Sequence, residues 1–325
     1  MKKFTYAFLS LAIAALMLCL VIFPDRYISV AREGITLWAV SVLPSLFPFF
    51  FLTLLLTKMG ALGNFAGAAD RFTGKFFRCN GVSAYIFIMS ALSGYPVGAK
   101  LISELYAAGK TDGYEATRMS CFCSTSGPLF VMGTVGVNMF GNKLCGAIML
   151  ACHLISAVIC GKIFYKYGAF NKMRTTLKHS DNTDNILYEC IYSSVISIIC
   201  VGGFICVFYL LARVLSDFGV LCLPTALLKL IFARTGCSDT AANGFMLGLI
   251  ECTNGCNILA EMPCAFTAAL ACGVISFGGL SVAFQSAIYL IKAKVNMKIF
   301  FLSKTLQMII SFILCFTVLY LTKIF

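Results

Sequence analysis

Long apolar runs separated by short polar segments cover the whole chain. Several of these runs, starting with residues 4–23 and ending near Thr322, reach the roughly 20 residues that a helix needs to cross about 30 Å of hydrocarbon. Residues 4–23 follow a basic start but show no small-residue cleavage site, so we expect a retained helix rather than a signal peptide. The pattern predicts an all-α polytopic membrane protein.

The order of the segments repeats in the two halves of the chain. Each half has an apolar span, an amphipathic stretch, a short apolar segment, and two further spans. The short segment and the first of these spans are interrupted by glycine or proline, and we call them broken; the last span is uninterrupted, and we call it the clean span. If the short segments enter and leave on one side, the chain has about seven complete spans plus two re-entrant helical hairpins in an inverted repeat. The predicted parts are an N-terminal helix and loop (1–34), a first repeat (35–168), a cytoplasmic linker (169–185) and a second repeat (186–325).

The composition agrees with this class, because 60% of the residues are hydrophobic and only 12% are charged. The net charge is +12, and the basic residues are concentrated in alternate loops, as expected for topology signals. This distribution gives no indication of nucleic-acid binding. The rule that basic loops remain on the cytoplasmic side predicts a cytoplasmic N-terminus and three basic clusters on the same side. These contain Lys58, Arg71, Lys75 and Arg78; Lys162, Lys166, Lys172, Arg174 and Lys178; and Lys292, Lys294, Lys298 and Lys304.

Cysteine is frequent, with 17 residues, but most of them lie within apolar runs, where cysteine behaves as a small hydrophobic residue. Only two histidines, His153 and His179, accompany them. Cys121 and Cys123 are not accompanied by a second group of ligand residues at the spacing of a metal site. We therefore expect no metal site, no cofactor and no catalytic residues. A coupling ion, H⁺ or Na⁺, stays open.

Four interruptions break the helices at membrane depth, at residues 93–98, 124–128, 251–257 and 276–281. Irregular backbone survives there only where protein or water covers it. Glycine-interrupted segments at matching positions of two halves are typical of a secondary transporter. Helix N-termini at such breaks suit an anionic or carbonyl-bearing solute, although any single break is equally well explained as a packing kink.

The candidate solute-binding residues lie at these breaks. Lys100 either faces the solute or forms a structural ion pair with Glu104, while Glu251 belongs to the site or is a protonated carboxyl bonded to another helix. Asn254 and Gln285 alternatively bond between helices, and Arg118 is expected to be a snorkelling topology charge. The full set is Gly94, Tyr95, Pro96, Gly98, Lys100, Ser124, Ser126, Glu251, Thr253, Asn254, Ser276 and Gln285.

The stretches SGYPVGAKLISELY, CSTSGPLFVMGTVG, GLIECTNG and SFGGLSVAFQ resemble the YlbJ-type sporulation integral membrane proteins of the nucleoside-recognition or Gate domain superfamily. The resemblance covers about residues 35–322. The segment order is also similar to the core of concentrative nucleoside transporters, but this chain lacks their Gly-Gln-Thr-Glu hairpin.

The resemblance implies a permease in the bacterial cell membrane or outer forespore membrane that moves dipicolinate from the mother cell toward the forespore. The implied partners are a small anionic solute, the lipid bilayer, and a second copy of the chain or other sporulation membrane proteins. Alternatives are a nucleoside-type transporter and a non-transporting structural or signalling component. An enzyme is not expected, since no hydrolase or metalloprotease motif occurs.

Overall fold

The computed structural model describes residues 10, 13–14, 16–59, 62–169 and 185–325, with the side chains of residues 62–68 left out. Regular elements in these ranges are all helical, as the hydrophobic pattern predicts. The expected first membrane helix lies partly outside the described residues, and the polar linker lies almost entirely outside them.

The N-terminal half contains seven α-helices and two π-helical stretches among the described residues. They are α1 (Pro24–Leu37), π1 (Trp38–Val42), α2 (Leu43–Lys58), α3 (Leu62–Phe77), α4 (Val82–Ser93), α5 (Val97–Ala107), α6 (Gly113–Ser120), π2 (Leu129–Met139) and α7 (Lys143–Ile163). We call α4 and α5 the first hairpin. The elements follow the predicted order of span, amphipathic helix, hairpin, broken span and clean span.

The C-terminal half repeats that order. Its helices are α8 (Ile186–Asp217), α9 (Cys222–Ile231), α10 (Ser238–Ile250), α11 (Cys252–Leu259), α12 (Ala265–Phe277), α13 (Gly279–Leu290) and α14 (Met297–Thr322), with a short 3₁₀ turn at Ala233–Thr235. We call α10 and α11 the second hairpin. Helix α14 packs on α7 and α12, so the clean spans of the two halves meet in the core.

The first described span begins earlier than the pattern predicts. Residues 24–34, expected as a loop because of their charges, are helical and continue through π1 and α2 to Lys58. Pro24 suits a first helical turn, where a missing N–H costs nothing. The charges are accommodated against α8, since Arg26 pairs with Asp217 and Glu33 accepts a hydrogen bond from Tyr209.

Five stretches of the described residues are long and apolar enough to cross a membrane: Pro24–Lys58, Lys143–Ile163, Ile186–Asp217, Ala265–Leu290 and Met297–Thr322. The expected span over residues 113–140 is divided into α6 and π2, which are 8 and 11 residues long. Neither piece alone covers the hydrocarbon core at 1.5 Å per residue.

Each hairpin begins and ends at the same end of the bundle. We call the open end of a hairpin, where the chain enters and leaves it, its mouth. Across the mouth of the first hairpin, the Asn80 side chain donates to the Lys110 carbonyl at 3.3 Å. At the second, the thiols of Cys237 and Cys264 lie 3.9 Å apart. The limbs are 8 to 13 residues long, about 12 to 20 Å at the helical rise, so they reach only part of the way through a bilayer.

The two mouths carry different charges. Arg118, beside the first hairpin, donates to the carbonyls of Arg78, Tyr167 and Ala169, and the Asn296 amide donates to Thr117. The segments that carry three predicted basic clusters therefore meet at this end. Near the second mouth the charges are mixed, with a pair between Lys229 and Asp239 at 2.7 Å.

Arg118 corrects one expectation. Its side chain is 1% exposed and binds three backbone carbonyls, so it does not snorkel toward the lipid surface. A guanidinium carries five N–H donors in a fixed fork, which suits the joining of several chain segments. Arg118 therefore joins the segments that precede the first hairpin and follow α7.

Candidate functional site

The first two breaks are packed against each other. Gly94 ends α4 at φ 83°, a region open mainly to glycine, and a Cβ there would meet the Gly127 nitrogen at 2.9 Å. Gly98, in the first turn of α5, lies directly against the Cys123 carbonyl, where no Cβ fits. The glycines predicted as hairpin breakers therefore also allow close contact between the first hairpin and residues 123–127.

The third and fourth breaks make a similar contact in the other half. Gly278 separates α12 from α13, and both it and Gly279, the first residue of α13, have positive φ. A Cβ on Gly279 would meet the Gly248 carbonyl at 2.9 Å and the Cys252 nitrogen at 3.2 Å. The start of α13 is thus held against the turn of the second hairpin.

Two side chains connect the pairs of breaks. The Tyr95 hydroxyl reaches from the first hairpin to the carbonyls of Ile275 and Ser276, at 3.4 and 3.3 Å. His153 of α7 accepts a hydrogen bond from the Ser126 amide on Nε2, at 2.9 Å, so its proton must be on Nδ1. Nδ1 then donates to Ser276 Oγ at 2.8 Å. All four breaks are therefore in one contiguous cluster.

A cavity of about 40 Å³ lies within this cluster. Such a volume is enough for water, since one molecule needs roughly 10–15 Å³. The wall is mostly apolar, and its few polar groups come from residues at or near the breaks. Its residues are Val42, Leu46, Tyr95, Ser126, Phe130, Val201, Ile205, Glu251, Cys252, Thr253, Val282 and Gln285.

Glu251 is the one carboxyl among the described residues that line this cavity. It is 1% exposed and sits at the turn between α10 and α11 in an extended conformation. Its two carboxyl oxygens accept hydrogen bonds from the amides of Thr253 and Asn254, at 3.2 and 2.7 Å. The residue therefore caps α11 and at the same time presents an ionisable group to the cavity.

Five of the residues predicted from the sequence line the cavity: Tyr95, Ser126, Glu251, Thr253 and Gln285. Gly94, Pro96, Gly98, Ser124 and Ser276 lie in the surrounding wall, where they make the contacts of the breaks. Asn254 contributes its backbone amide to the cap of Glu251. Lys100 does not line the cavity; its ammonium donates to Ser193 on α8 at 2.8 Å.

The sequence reasoning missed a buried basic residue. Lys304, assigned to a cytoplasmic cluster, is 2% exposed in the core and donates to the Ser124 carbonyl and to Gln307 at 2.8 Å. Gln307 in turn donates to the His153 carbonyl at 3.3 Å. A lysine and a glutamine three residues apart inside an apolar run share one helix face, and that spacing was the available signal.

Comparison with known proteins gives one relative that bears on this arrangement. The chain is 27% identical over 307 residues to the sporulation integral membrane protein YlbJ of Bacillus subtilis (strain 168), over 87% of this chain and 75% of the relative. No protein-family profile matches the chain. No solved structure matches it either.

The aligned length includes most of the spans and breaks described above, since it covers 87% of the chain. The YlbJ-type part of the resemblance drawn from the motifs is therefore confirmed over 87% of the chain. The assignment to membrane proteins is supported by this relative and by the five apolar stretches. Along most of its length, the chain is similar to a YlbJ-type sporulation integral membrane protein.

Proposed function

We propose that the chain is a membrane permease for a small anionic solute, with dipicolinate as the substrate during sporulation. The observation that carries the proposal is the meeting of four helix breaks around a cavity that holds one buried carboxyl. Breaks at matching places in two halves are the usual site of solute and ion binding in secondary transporters. The sporulation context comes from the YlbJ relative.

The proposal includes an inverted repeat. Two features support it: the helices follow the same order in both halves, and the mouths of the two hairpins differ in charge and in neighbouring segments. In an inverted repeat, one hairpin enters from each side of the membrane and the tips meet near the middle. Tyr95, at the turn of the first hairpin, and Thr253, at the turn of the second, line the same cavity, which fits that arrangement.

The size of the cavity implies movement during transport. Dipicolinate is a flat aromatic dianion of 12 non-hydrogen atoms, and a cavity of about 40 Å³ is small for a solute of that size. The structure therefore corresponds to a closed conformation under this proposal. Separation of the hairpin tips from α13 would enlarge the cavity and open it to one side.

Transport is tested with purified protein reconstituted into liposomes that contain terbium. Dipicolinate sensitises terbium luminescence, so entry of the solute is read directly. We expect luminescence to rise faster than in protein-free liposomes, and to rise further when a proton or sodium gradient is imposed. A rate equal to that of protein-free vesicles under every gradient would contradict the permease and favour a non-transporting component. Preferential uptake of labelled uridine would favour a nucleoside transporter.

We also propose that the N-terminus and the first mouth face the cytoplasm. The exposed basic residues Lys166, Lys294 and Lys298 lie on the segments that meet at this end, and basic residues are retained on the cytoplasmic side. Single cysteines placed at Lys166 and at Asp239 in a cysteine-free background test this orientation. A membrane-impermeant maleimide should label only position 239 in intact cells. Labelling of position 166 alone would reverse the topology.

A further inference from the structure

Lys304 is a buried cation whose described neighbours are all neutral. Its ammonium donates to the Ser124 carbonyl and the Gln307 side chain, and it lies 5.3 Å from the centre of the Tyr95 ring. No carboxylate of the described residues lies within ion-pairing distance of it. A buried charge without a counter-ion is costly, and charges inside membrane proteins commonly mark solute or ion pathways.

The hydroxyl of Ser124 is a hydrogen-bond donor that is not in use. Its side chain is 2% exposed, and its hydroxyl makes no hydrogen bond with any described residue. The carbonyl of this same residue accepts the hydrogen bond from Lys304. Since a buried hydroxyl without a hydrogen bond is destabilising, the arrangement is poor as a purely structural tether. An ammonium bound to the backbone of a residue whose own hydroxyl is unpaired offers two donors in one region, which suits a carboxylate.

The position relative to the cavity connects this pair with the proposed transport site. Tyr95 lines the cavity and also contacts Lys304 through its ring, while Ser126, two residues after Ser124, lines the cavity. The ammonium is therefore one side chain behind the cavity wall. A displacement of the Tyr95 ring would add Lys304 to the cavity that already contains Glu251.

We propose that Lys304 and Ser124 form the anion-binding subsite of the transport site, which takes one carboxylate of the solute when Tyr95 moves aside. The inference rests on the proposed function and assigns its recognition of charge to these residues rather than to Lys100. Lys304 then supplies the attraction for the anion, and Gln307 holds the ammonium in place through its bond to the His153 carbonyl.

Calorimetric titration of the purified protein in detergent tests the subsite. The probes are pyridine-2,6-dicarboxylate, pyridine-2-carboxylate and the neutral pyridine-2,6-dicarboxamide. Lys304→Met retains most of the side-chain volume and should weaken dicarboxylate binding about tenfold or more, while binding of the diamide changes little. Ser124→Ala should weaken dicarboxylate binding several-fold. Lys298→Met removes an exposed lysine from the same helix and serves as the matched control.

Ser124→Ala keeps the test decisive if Lys304→Met fails to fold. The hydroxyl has no hydrogen-bond partner among the residues that the structure describes, so its removal should not lower the unfolding temperature. Wild-type affinity in Ser124→Ala, or an equal loss for the dicarboxylate and the diamide in Lys304→Met, would overturn the subsite while transport by the native protein still stands. Absence of both binding and flux in the native protein would overturn the permease and the subsite together.

Discussion

Glu251→Gln should abolish gradient-driven accumulation of dipicolinate in proteoliposomes while solute exchange across the membrane continues. Glu251 is the one carboxyl among the described residues that line the cavity, and it is buried without a basic partner at ion-pairing distance there. An amide of the same size cannot bind and release a proton, and it is a poorer ligand for Na⁺ than a carboxylate. Exchange needs only reorientation of the loaded site.

Helix capping is largely retained in this variant, because the glutamine amide oxygen can still accept from the Thr253 or Asn254 amide. Glu261→Gln, which removes an exposed carboxylate just after α11, is the matched control and should transport normally. Accumulation at the native rate in Glu251→Gln would show that this carboxyl is a cap and nothing more. Proton and sodium gradients applied separately to the native protein identify the ion.

His153→Leu should lower the free energy of unfolding by about 2 to 4 kcal/mol, because it leaves the buried Ser126 amide without an acceptor and removes the bond to Ser276. His153 is fully buried where α7 meets the second and fourth breaks. Thermal unfolding in detergent measures the loss, which should appear as a fall of several degrees in the midpoint.

His153→Gln provides the comparison for this effect. A glutamine oxygen can occupy the place of Nε2 and accept from the Ser126 amide, so about half of the loss should be recovered. If the leucine and glutamine variants unfold at the same temperature, the histidine acts through its volume rather than through its hydrogen bonds. An unchanged midpoint in both variants would mean that the contact between these two breaks contributes nothing measurable.

Most of the fold could be predicted from the sequence, because glycine, proline and apolar length are local signals. The hairpin turns at Gly94 and Glu251 and the break at Gly278 occur where those residues interrupt apolar runs. The start of the first described span was wrong by about eleven residues. Its charged residues predicted a loop, but Arg26 pairs with Asp217 and Glu33 accepts a hydrogen bond from Tyr209, and both partners are distant in sequence.

The site could be predicted only in part for a related reason. Residues at the breaks, such as Tyr95, Ser126 and Glu251, are marked by their place in the pattern and do line the cavity. Lys304 and His153 lie within unbroken helices, and their roles come from partners on other segments. Ser124 is 180 residues from Lys304, and Ser126 and Ser276 are 27 and 123 residues from His153. Periodicity places such a residue on a face, but it does not say which face meets another helix.

The shortness of the hairpin limbs has a consequence for how the protein is made. Limbs of 8 to 13 residues are too short to be retained in a bilayer as independent spans. The partners that secure Tyr95, residues 275 and 276, are synthesised some 180 residues after the first hairpin. At a ribosomal rate of about 5–20 residues per second, roughly 10 to 40 seconds pass between the synthesis of that hairpin and the synthesis of these partners. During biogenesis it must therefore be sheltered by other protein, or remain outside the hydrocarbon until α12 arrives.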